Sequence, residues 1–232
     1  MLSRVYSCAV VGLEGVVVEV EVDTTRGLPG TDIVGLPNQA VKESRERVQA
    51  AIKNSGLPYP RKRIIVNLAP AAVRKEGPAY DLPIALGVLL MQMLVPPDSG
   101  DEAMVIGELS LDGTVRHSKG ILPMAAAARE QGFKRIFVPE MDATEAALIP
   151  DLDVIPVKSL SELYKHLVGE KTIQPHQPPL VDTIPIPSNI TDFSEIKGQE
   201  HVKRALEVAS AGGHNMLLMG PPGAGKTLLA RA

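Results

Sequence analysis

The feature that most constrains this chain is a glycine-rich octapeptide close to its C-terminal end. Residues 220–227 read Gly-Pro-Pro-Gly-Ala-Gly-Lys-Thr, which matches the pattern G-x-x-x-x-G-K-[ST]. Glycines allow the backbone to curl so that successive amides converge on phosphate oxygens, and a helix that begins at the lysine directs the positive end of its dipole to the same place. Residues 216–219 are typical of a buried strand and residues 228–230 of a helix, so the sequence predicts a strand, a phosphate-binding loop and a helix in succession.

The residue types of this loop predict ATP and Mg²⁺ as its ligands. Lys226 would reach the β- and γ-phosphates, and the hydroxyl of Thr227 would ligate Mg²⁺. Hydrolysis also needs a second strand with an acidic residue and usually an arginine finger, and five residues follow Thr227, so the sequence predicts ATP binding at most. The predicted nucleotide-binding residues are Gly220, Pro221, Pro222, Gly223, Ala224, Gly225, Lys226 and Thr227.

Prolines divide the chain. Five of the 13 residues from 175 to 187 are proline, and proline favours an extended linker because it fixes φ and lacks an amide hydrogen. We expect a domain at residues 1–168, a linker at 169–190 and the start of an ATPase domain at 191–232. The last segment has 42 residues and a single predicted core strand, which is too little for a stable domain, so we expect it to be the front part of a larger one.

The first 168 residues carry strand patterns early and alternate strands with helices later. Val16, Val18, Val20 and Val22 recur at every second position, which is typical of a half-buried strand in a hairpin. Residues 104–111 and 114–115 flank Asp-Gly and predict a second hairpin. The whole pattern favours an α+β domain with a mixed sheet. Helices are predicted at 39–54, 81–93, 121–131, 143–148 and 160–167, and further strands at 64–68, 135–138 and 154–157.

Composition excludes several classes of protein. The single cysteine cannot form an intrachain disulfide, which favours a reducing cytoplasm, and the five histidines do not cluster as metal ligands would. The longest apolar run, residues 82–95, is too short to span a membrane, and no signal peptide is visible. The net charge of −3 gives no global argument for nucleic-acid binding.

One local stretch is basic. Residues 42–63 contain seven basic and two acidic side chains, and Arg61, Lys62 and Arg63 are the densest part. These three residues are candidates for contacts with DNA phosphates. The alternative is a solvated helix face on which Glu43 and Glu46 pair with Arg47 and its neighbours.

Residues 192–200 (Asp-Phe-Ser-Glu-Ile-Lys-Gly-Gln-Glu), residues 211–218 (Ala-Gly-Gly-His-Asn-Met-Leu-Leu) and the phosphate loop resemble the start of the AAA+ module in magnesium-chelatase-like ATPases of the YifB/ComM type. The resemblance implies a Lon-protease-like α+β domain, of the type of domain two in ribosomal small-subunit protein five, followed by the truncated start of a P-loop AAA+ α/β domain. It also implies a homo-oligomer, a hexameric ring at full length, that remodels DNA by ATP-driven branch migration in competence and recombination.

The first domain resembles Lon peptidases at two further segments. Residues 76–79 (Glu-Gly-Pro-Ala) look like the nucleophile segment, in which Gly-Pro precedes serine, and residues 107–122 look like the segment that carries the catalytic lysine. Ala79 stands at the nucleophile position and Leu122 at the lysine position, and neither side chain can attack a carbonyl or take a proton. Ser118 and Lys119 are unfavourable replacements, because neighbours in an extended segment point to opposite faces.

Three alternatives remain open. An ATP-dependent Lon-type serine peptidase would need the two groups missing at Ala79 and Leu122. A magnesium-chelatase motor subunit would act with partner subunits, and its relatives are not expected to carry a Lon-like domain. A binding module without activity of its own is the third.

Overall fold

The computed structural model describes residues 2–177 and 192–232. The chain divides into two compact units, residues 1–179 and 180–232. The predicted linker at 169–190 lies partly outside the described residues. Of the part that is described, Ile173 is buried in the core of the first unit and the amide of His176 donates to the carbonyl of Val154 at 2.7 Å.

A seven-stranded mixed sheet forms the centre of the first unit, which confirms the predicted mixed sheet. The strand order is β3-β4-β2-β1-β5-β8-β9, and β6 and β7 form a separate two-stranded antiparallel ladder. β2 is antiparallel to β1 and β4, whereas the pairs β3–β4, β1–β5, β5–β8 and β8–β9 are parallel. The strands are β1 (Ser3–Val11), β2 (Glu14–Thr25), β3 (Gly30–Val34), β4 (Arg63–Ala69), β5 (Ala103–Val105), β6 (Glu108–Leu109), β7 (Val115–Arg116), β8 (Arg135–Pro139) and β9 (Asp153–Val157).

Helices cover both faces of this sheet. Val5 and Ala9 of β1 belong to one apolar cluster and Cys8 belongs to another, as the alternation of side chains along a strand requires. The second, third and sixth helices contribute to the first cluster, and the fourth and fifth to the second. The helices of the first unit are α1 (Gln39–Lys42), α2 (Ser44–Asn54), α3 (Asp81–Met91), α4 (Ile121–Glu130), α5 (Ala143–Ala146) and α6 (Leu160–Leu167).

The predicted first hairpin is confirmed. β1 and β2 pair from Ser3↔Val22 to Val11↔Glu14, and Gly12 turns between them with a φ of +65°, in the region that favours glycine. Val18, Val20 and Val22 are fully buried, so the apolar alternation marks the core face of β2.

Two predictions for the first unit need correction, and one strand was not predicted. Residues 104–111 are not one strand, because the chain leaves the main sheet at Gly107, whose amide donates to the carbonyl of Ala79 at 2.9 Å. The helix predicted over 39–54 is divided at Glu43 into α1 and α2. The edge strand β3 was not predicted, because its burial alternates only between exposed and half-buried positions and the sequence therefore lacks a clear apolar period.

The second unit contains α7 (Glu200–Gly212) and α8 (Lys226–Leu229). α7 ends at a left-handed glycine, Gly213, with a φ of +63°. The strand predicted at 216–219 is wrong for the described residues, because a strand needs a partner and residues 192–232 contain no β-pairing. Among the helices in the described ranges, none has both the length and the apolar character needed to cross a membrane.

Candidate nucleotide-binding loop and degenerate peptidase cavity

The glycine-rich loop takes the backbone conformation that its sequence predicts. Gly223 and Gly225 have φ values of +83° and +78°, which other residues adopt only with strain. Apart from the glycine itself and its chain neighbours, no heavy atom of the described residues lies within 4 Å of the point where a Cβ of either glycine would be, so the backbone angle and not crowding selects glycine here. Gly225 then caps α8, whose first turn closes from the amide of Leu229 to the carbonyl of Gly225 at 2.9 Å.

The charged group of the loop is held by the loop itself. Nζ of Lys226 donates to the carbonyl oxygens of Gly220 at 2.8 Å and Pro221 at 2.7 Å. Within the described part of the chain, no carboxylate pairs with this ammonium, so its charge is available to an anion. Thr227 lies exposed in the first turn of α8, where helix amides lack intrahelical acceptors. The ammonium, the hydroxyl and these amides together suit a phosphate group with a divalent cation.

The first unit contains a cavity of about 800 Å³, which is lined by the segment that resembles the nucleophile segment of Lon peptidases. Its walls come from the end of β1, from residues 72–80, from residues 117–119 and from Met124 of α4. Ala79 lines this cavity, but Leu122 does not: its side chain is 38% exposed and its amide donates to Oε1 of Glu145 at 3.1 Å. The structure therefore does not bring the two predicted positions into one cavity.

Ser118 and Lys119 both line the cavity, although neighbours in an extended segment were expected to diverge. They do not form a dyad, because the buried Oγ of Ser118 has no hydrogen-bond partner within residues 2–177 and 192–232. Residues 117–119 are held by the buried Asp142, which does not itself line the cavity. Its Oδ1 lies 2.5 Å from Nδ1 of His117, and its Oδ2 accepts from the amide of Ser118 at 2.9 Å.

Cys8 is the other potential nucleophile on the wall of the cavity. It is fully buried, and burial raises the pKa of its thiol to about 12. The thiolate is the reactive form of cysteine, so this side chain acts as a small apolar group at neutral pH.

Backbone hydrogen bonds hold Ala79 in place. The amide of Gly107 donates to the carbonyl of Ala79, and the amide of Leu82 donates to the carbonyl of Gly107, both at 2.9 Å. The side chain of residue 79 takes no part in either bond.

A buried ion pair next to this segment was not predicted. Nε of Arg47 lies 2.6 Å from Oδ2 of Asp81 and Nη2 lies 3.0 Å from Oδ1, while Oδ2 also accepts from the amide of Leu109 at 3.2 Å. The hydrogen bond with Asp81 raises the pKa of Arg47. The expected pairing of Arg47 with Glu43 and Glu46 is therefore wrong, because Arg47 points inward and bonds to a residue 34 positions away.

Arg61, Lys62 and Arg63 are exposed. Arg61 and Lys62 form no ion pair among the described residues, whereas Arg63 is paired with Asp32, with Nη2 2.8 Å from Oδ2. Arg63 also lines a recess of about 430 Å³ together with Lys42 and Arg45. The structure thus brings part of the predicted basic stretch together, and among residues 2–177 and 192–232 neither Arg61 nor Lys62 has an ion-pair partner.

The chain that carries this mixed sheet and this glycine-rich loop belongs to the class of magnesium-chelatase-like proteins. Residues 20–142 match the family model described as subunit ChlI of Mg-chelatase, and residues 192–232 match that described as magnesium chelatase, subunit ChlI. Within this class, the chain belongs to the YifB/ComM family.

Individual relatives agree with this assignment. The chain is 38% identical over 236 residues to competence protein ComM of Haemophilus influenzae, which covers 99% of this chain and 45% of that protein. It is 41% identical over 229 residues to YifB of Escherichia coli, covering 99% and 44%. A Lon protease of Mycolicibacterium smegmatis is 30% identical over 165 residues, covering 67% and 20%. The chain spans about half the length of ComM and YifB.

Proposed function

We propose that this chain binds ATP and Mg²⁺ through residues 220–227 and forms part of an ATP-driven protein that remodels DNA, with its first unit a Lon-like domain without peptidase activity. The observation that carries the proposal is Lys226, whose ammonium is bound, among the described residues, only by carbonyl oxygens of its own loop. A cation without a carboxylate partner, at the start of a helix, favours a phosphate ligand.

In this proposal the loop binds and orients the nucleotide. Lys226 would contact the β- and γ-phosphates, the hydroxyl of Thr227 would ligate Mg²⁺, and the amides of residues 223–227 would donate to phosphate oxygens. Bound ATP would supply the free energy for remodelling in the whole protein, which the family resemblance implies to be a hexameric ring in the cytoplasm.

Nucleotide binding is tested by titrating a fluorescent ATP analogue into the purified chain with Mg²⁺. Lys226→Ala should weaken binding at least about tenfold, which corresponds to about 1.4 kcal/mol. The matched control is Lys165→Ala, which removes an exposed lysine from α6 of the other unit. Equal affinity of wild type and Lys226→Ala would refute the assignment of the loop.

The DNA role is supported by the similarity to the competence protein ComM and by Arg61 and Lys62, which have no ion-pair partner among the described residues. The double variant Arg61→Ala/Lys62→Ala should weaken binding of a branched DNA and reduce the salt dependence of its affinity, because each phosphate contact releases a counterion. Arg63→Ala should have a smaller effect, since Asp32 already pairs with Arg63. DNA binding that is insensitive to salt would contradict phosphate contacts.

The peptidase alternative has the Lon relative in its favour, but the side chains oppose it. Ala79 and Leu122 offer no nucleophile or base, and the hydroxyl of Ser118 has no partner among the described residues to activate it. Incubation with casein and with a serine-directed fluorophosphonate probe should give neither cleavage nor labelling. The magnesium-chelatase alternative predicts activity only with partner subunits and a porphyrin, which is a separate assay.

A further inference from the structure

The cavity of the first unit contains a strand edge that no described strand covers. β1 pairs with β2 over its whole length, but with β5 only where Tyr6 lies opposite Met104. Residues 8–11 continue along the cavity wall beyond that point. Within the described ranges, no backbone hydrogen bond joins residues 8–11 to a segment other than β2, although the carbonyl of Ala9 accepts from Sγ of the neighbouring Cys8 at 3.4 Å. Extended peptides add to exposed sheet edges of this kind through main-chain hydrogen bonds.

A buried hydroxyl on the same cavity also lacks a partner. Ser118 is 5% exposed and its Oγ forms no hydrogen bond within the described residues. Within the described residues, three buried side-chain oxygens lack a hydrogen-bond partner, those of Ser7, Ser55 and Ser118. Of these three residues, only Ser118 lines the cavity. A buried hydroxyl left without a partner costs about 1–3 kcal/mol, so its retention at a cavity points to a ligand group that satisfies it.

The walls combine apolar surface with charges of both signs. Val73, Ala79 and Met124 supply apolar surface, whereas Glu108 and Lys119 carry charges that no ion pair in the described residues neutralises. A wall with one free anion and one free cation does not favour a polyanion such as DNA, which selects clustered cations. It suits an uncharged main chain with side chains of mixed character, and the volume of about 800 Å³ lies within the range of ligand sites.

We propose that this cavity binds a short extended polypeptide segment of a partner protein, which adds as a strand beside residues 8–11 and hydrogen-bonds to Ser118, without being cleaved. The site shares no residue with the proposed ATP loop, and the inference does not depend on nucleotide binding. It assigns the first unit a recognition role that persists without peptidase chemistry.

The first experiment asks whether the full chain selects extended peptides. A pooled library of blocked hexapeptides with alternating apolar and polar residues is passed over the immobilised protein, and an enriched peptide is resynthesised with a fluorescent label. N-methylation of alternate residues in one register should weaken its binding at least about tenfold and in the other register less, because only one register faces the edge. Failure to enrich any peptide, or equal effects of the two registers, would overturn the proposal.

A pair of variants tests the location. Ala72 and Ala71 are both exposed, but only Ala72 lines the cavity. Ala72→Trp should place an indole at the mouth and abolish binding, whereas Ala71→Trp should retain it, with thermal melting as the check on folding. Equal binding by the two variants would place the peptide elsewhere.

Methyl NMR and competition identify the ligand class and separate this proposal from the previous one. The bound peptide should shift the methyl signal of Met124 and not that of Met93, which is 72% exposed and does not line the cavity. A single-stranded oligonucleotide should not displace the peptide, and displacement would overturn the polypeptide assignment. Lys226→Ala should bind the peptide normally, so loss of ATP binding and loss of peptide binding are distinguishable.

Discussion

The cavity of the first unit and the loop of the second differ in the origin of their shape. The cavity is assembled from segments more than 100 residues apart in sequence and rests on a buried core, whereas the loop is eight consecutive residues, most of them exposed. The cavity is lined by Ala79 at the position where the Lon resemblance expects a nucleophile, and Leu122, at the expected lysine position, does not line it. The loop has kept every residue of its motif. The chemistry of a site built from consecutive residues can therefore be predicted directly from the sequence. A site assembled from distant segments is indicated in the sequence mainly by positions where an expected residue type is absent.

The buried ion pair of the first unit should give the largest effect on stability. Asp81→Ala removes a fully buried carboxylate and leaves the guanidinium of Arg47 without its partner, which should lower the free energy of unfolding by about 3–5 kcal/mol. Urea denaturation measures this change. Asp32→Ala, which breaks an exposed pair with Arg63, should cost less than about 1 kcal/mol. A similar small loss for both variants would contradict the structural importance of the buried pair.

Truncation of one leucine in each unit tests the difference in packing. Leu86 of α3 is fully buried, and Leu86→Ala should cost about 2–5 kcal/mol through lost contacts and a cavity. Leu217 is 80% exposed, and Leu217→Ala should change stability by less than about 0.5 kcal/mol. The midpoints of urea denaturation measure the stability changes of both variants. A large loss for Leu217→Ala would show that the second unit also depends on a packed core.

Substitution of a loop glycine with positive φ should weaken ATP binding by the loop and leave the stability of the first unit unchanged. Gly225→Ala forces a β-carbon into a φ of +78° at a cost of about 1–2 kcal/mol, so affinity for ATP should fall roughly tenfold or more. Leu86 and its neighbours lie in the other unit, so the main unfolding transition should stay in place. Calorimetric titration and thermal melting on the same samples measure the two quantities. An unchanged affinity would mean that the loop can bind in another backbone conformation.

The smallest expected change is a gain in stability. Ser118→Ala deletes a buried hydroxyl that has no partner among the described residues, which should raise the free energy of unfolding by about 1 kcal/mol. The matched variant Ser44→Ala removes a buried hydroxyl that accepts a hydrogen bond from Arg47 at 3.0 Å, and should be destabilising. Changes of opposite sign in the free energy of unfolding would support the difference between the two hydroxyls. A loss of stability in Ser118→Ala would disprove it.

The sequence predicted those features that depend on neighbouring residues. The valine alternation located β2, and the loop motif was explicit. β3 was missed because an edge strand buries little and leaves no clear period. The strand at 216–219 was overpredicted, since apolar character alone does not supply the partner that a strand requires.

Features that depend on distant residues could not be predicted. The pairing of Arg47 with Asp81 spans 34 positions, and helical spacing favoured nearer carboxylates. The meeting of Ser118 and Lys119 with Ala79 depends on how residues 117–119 are tied to Asp142, which no local pattern records. The residues that line the cavity could therefore be identified only from the structure.

The hydrogen bonds that join Ala79, Gly107 and Leu82 have a consequence for how such a domain can change during evolution. They run between main-chain atoms, so the position of residue 79 is independent of the side chain it carries. A serine could be exchanged for an alanine there without disturbing the surrounding architecture, and the loss of an ancestral reaction would then leave the scaffold free to be retained for other tasks.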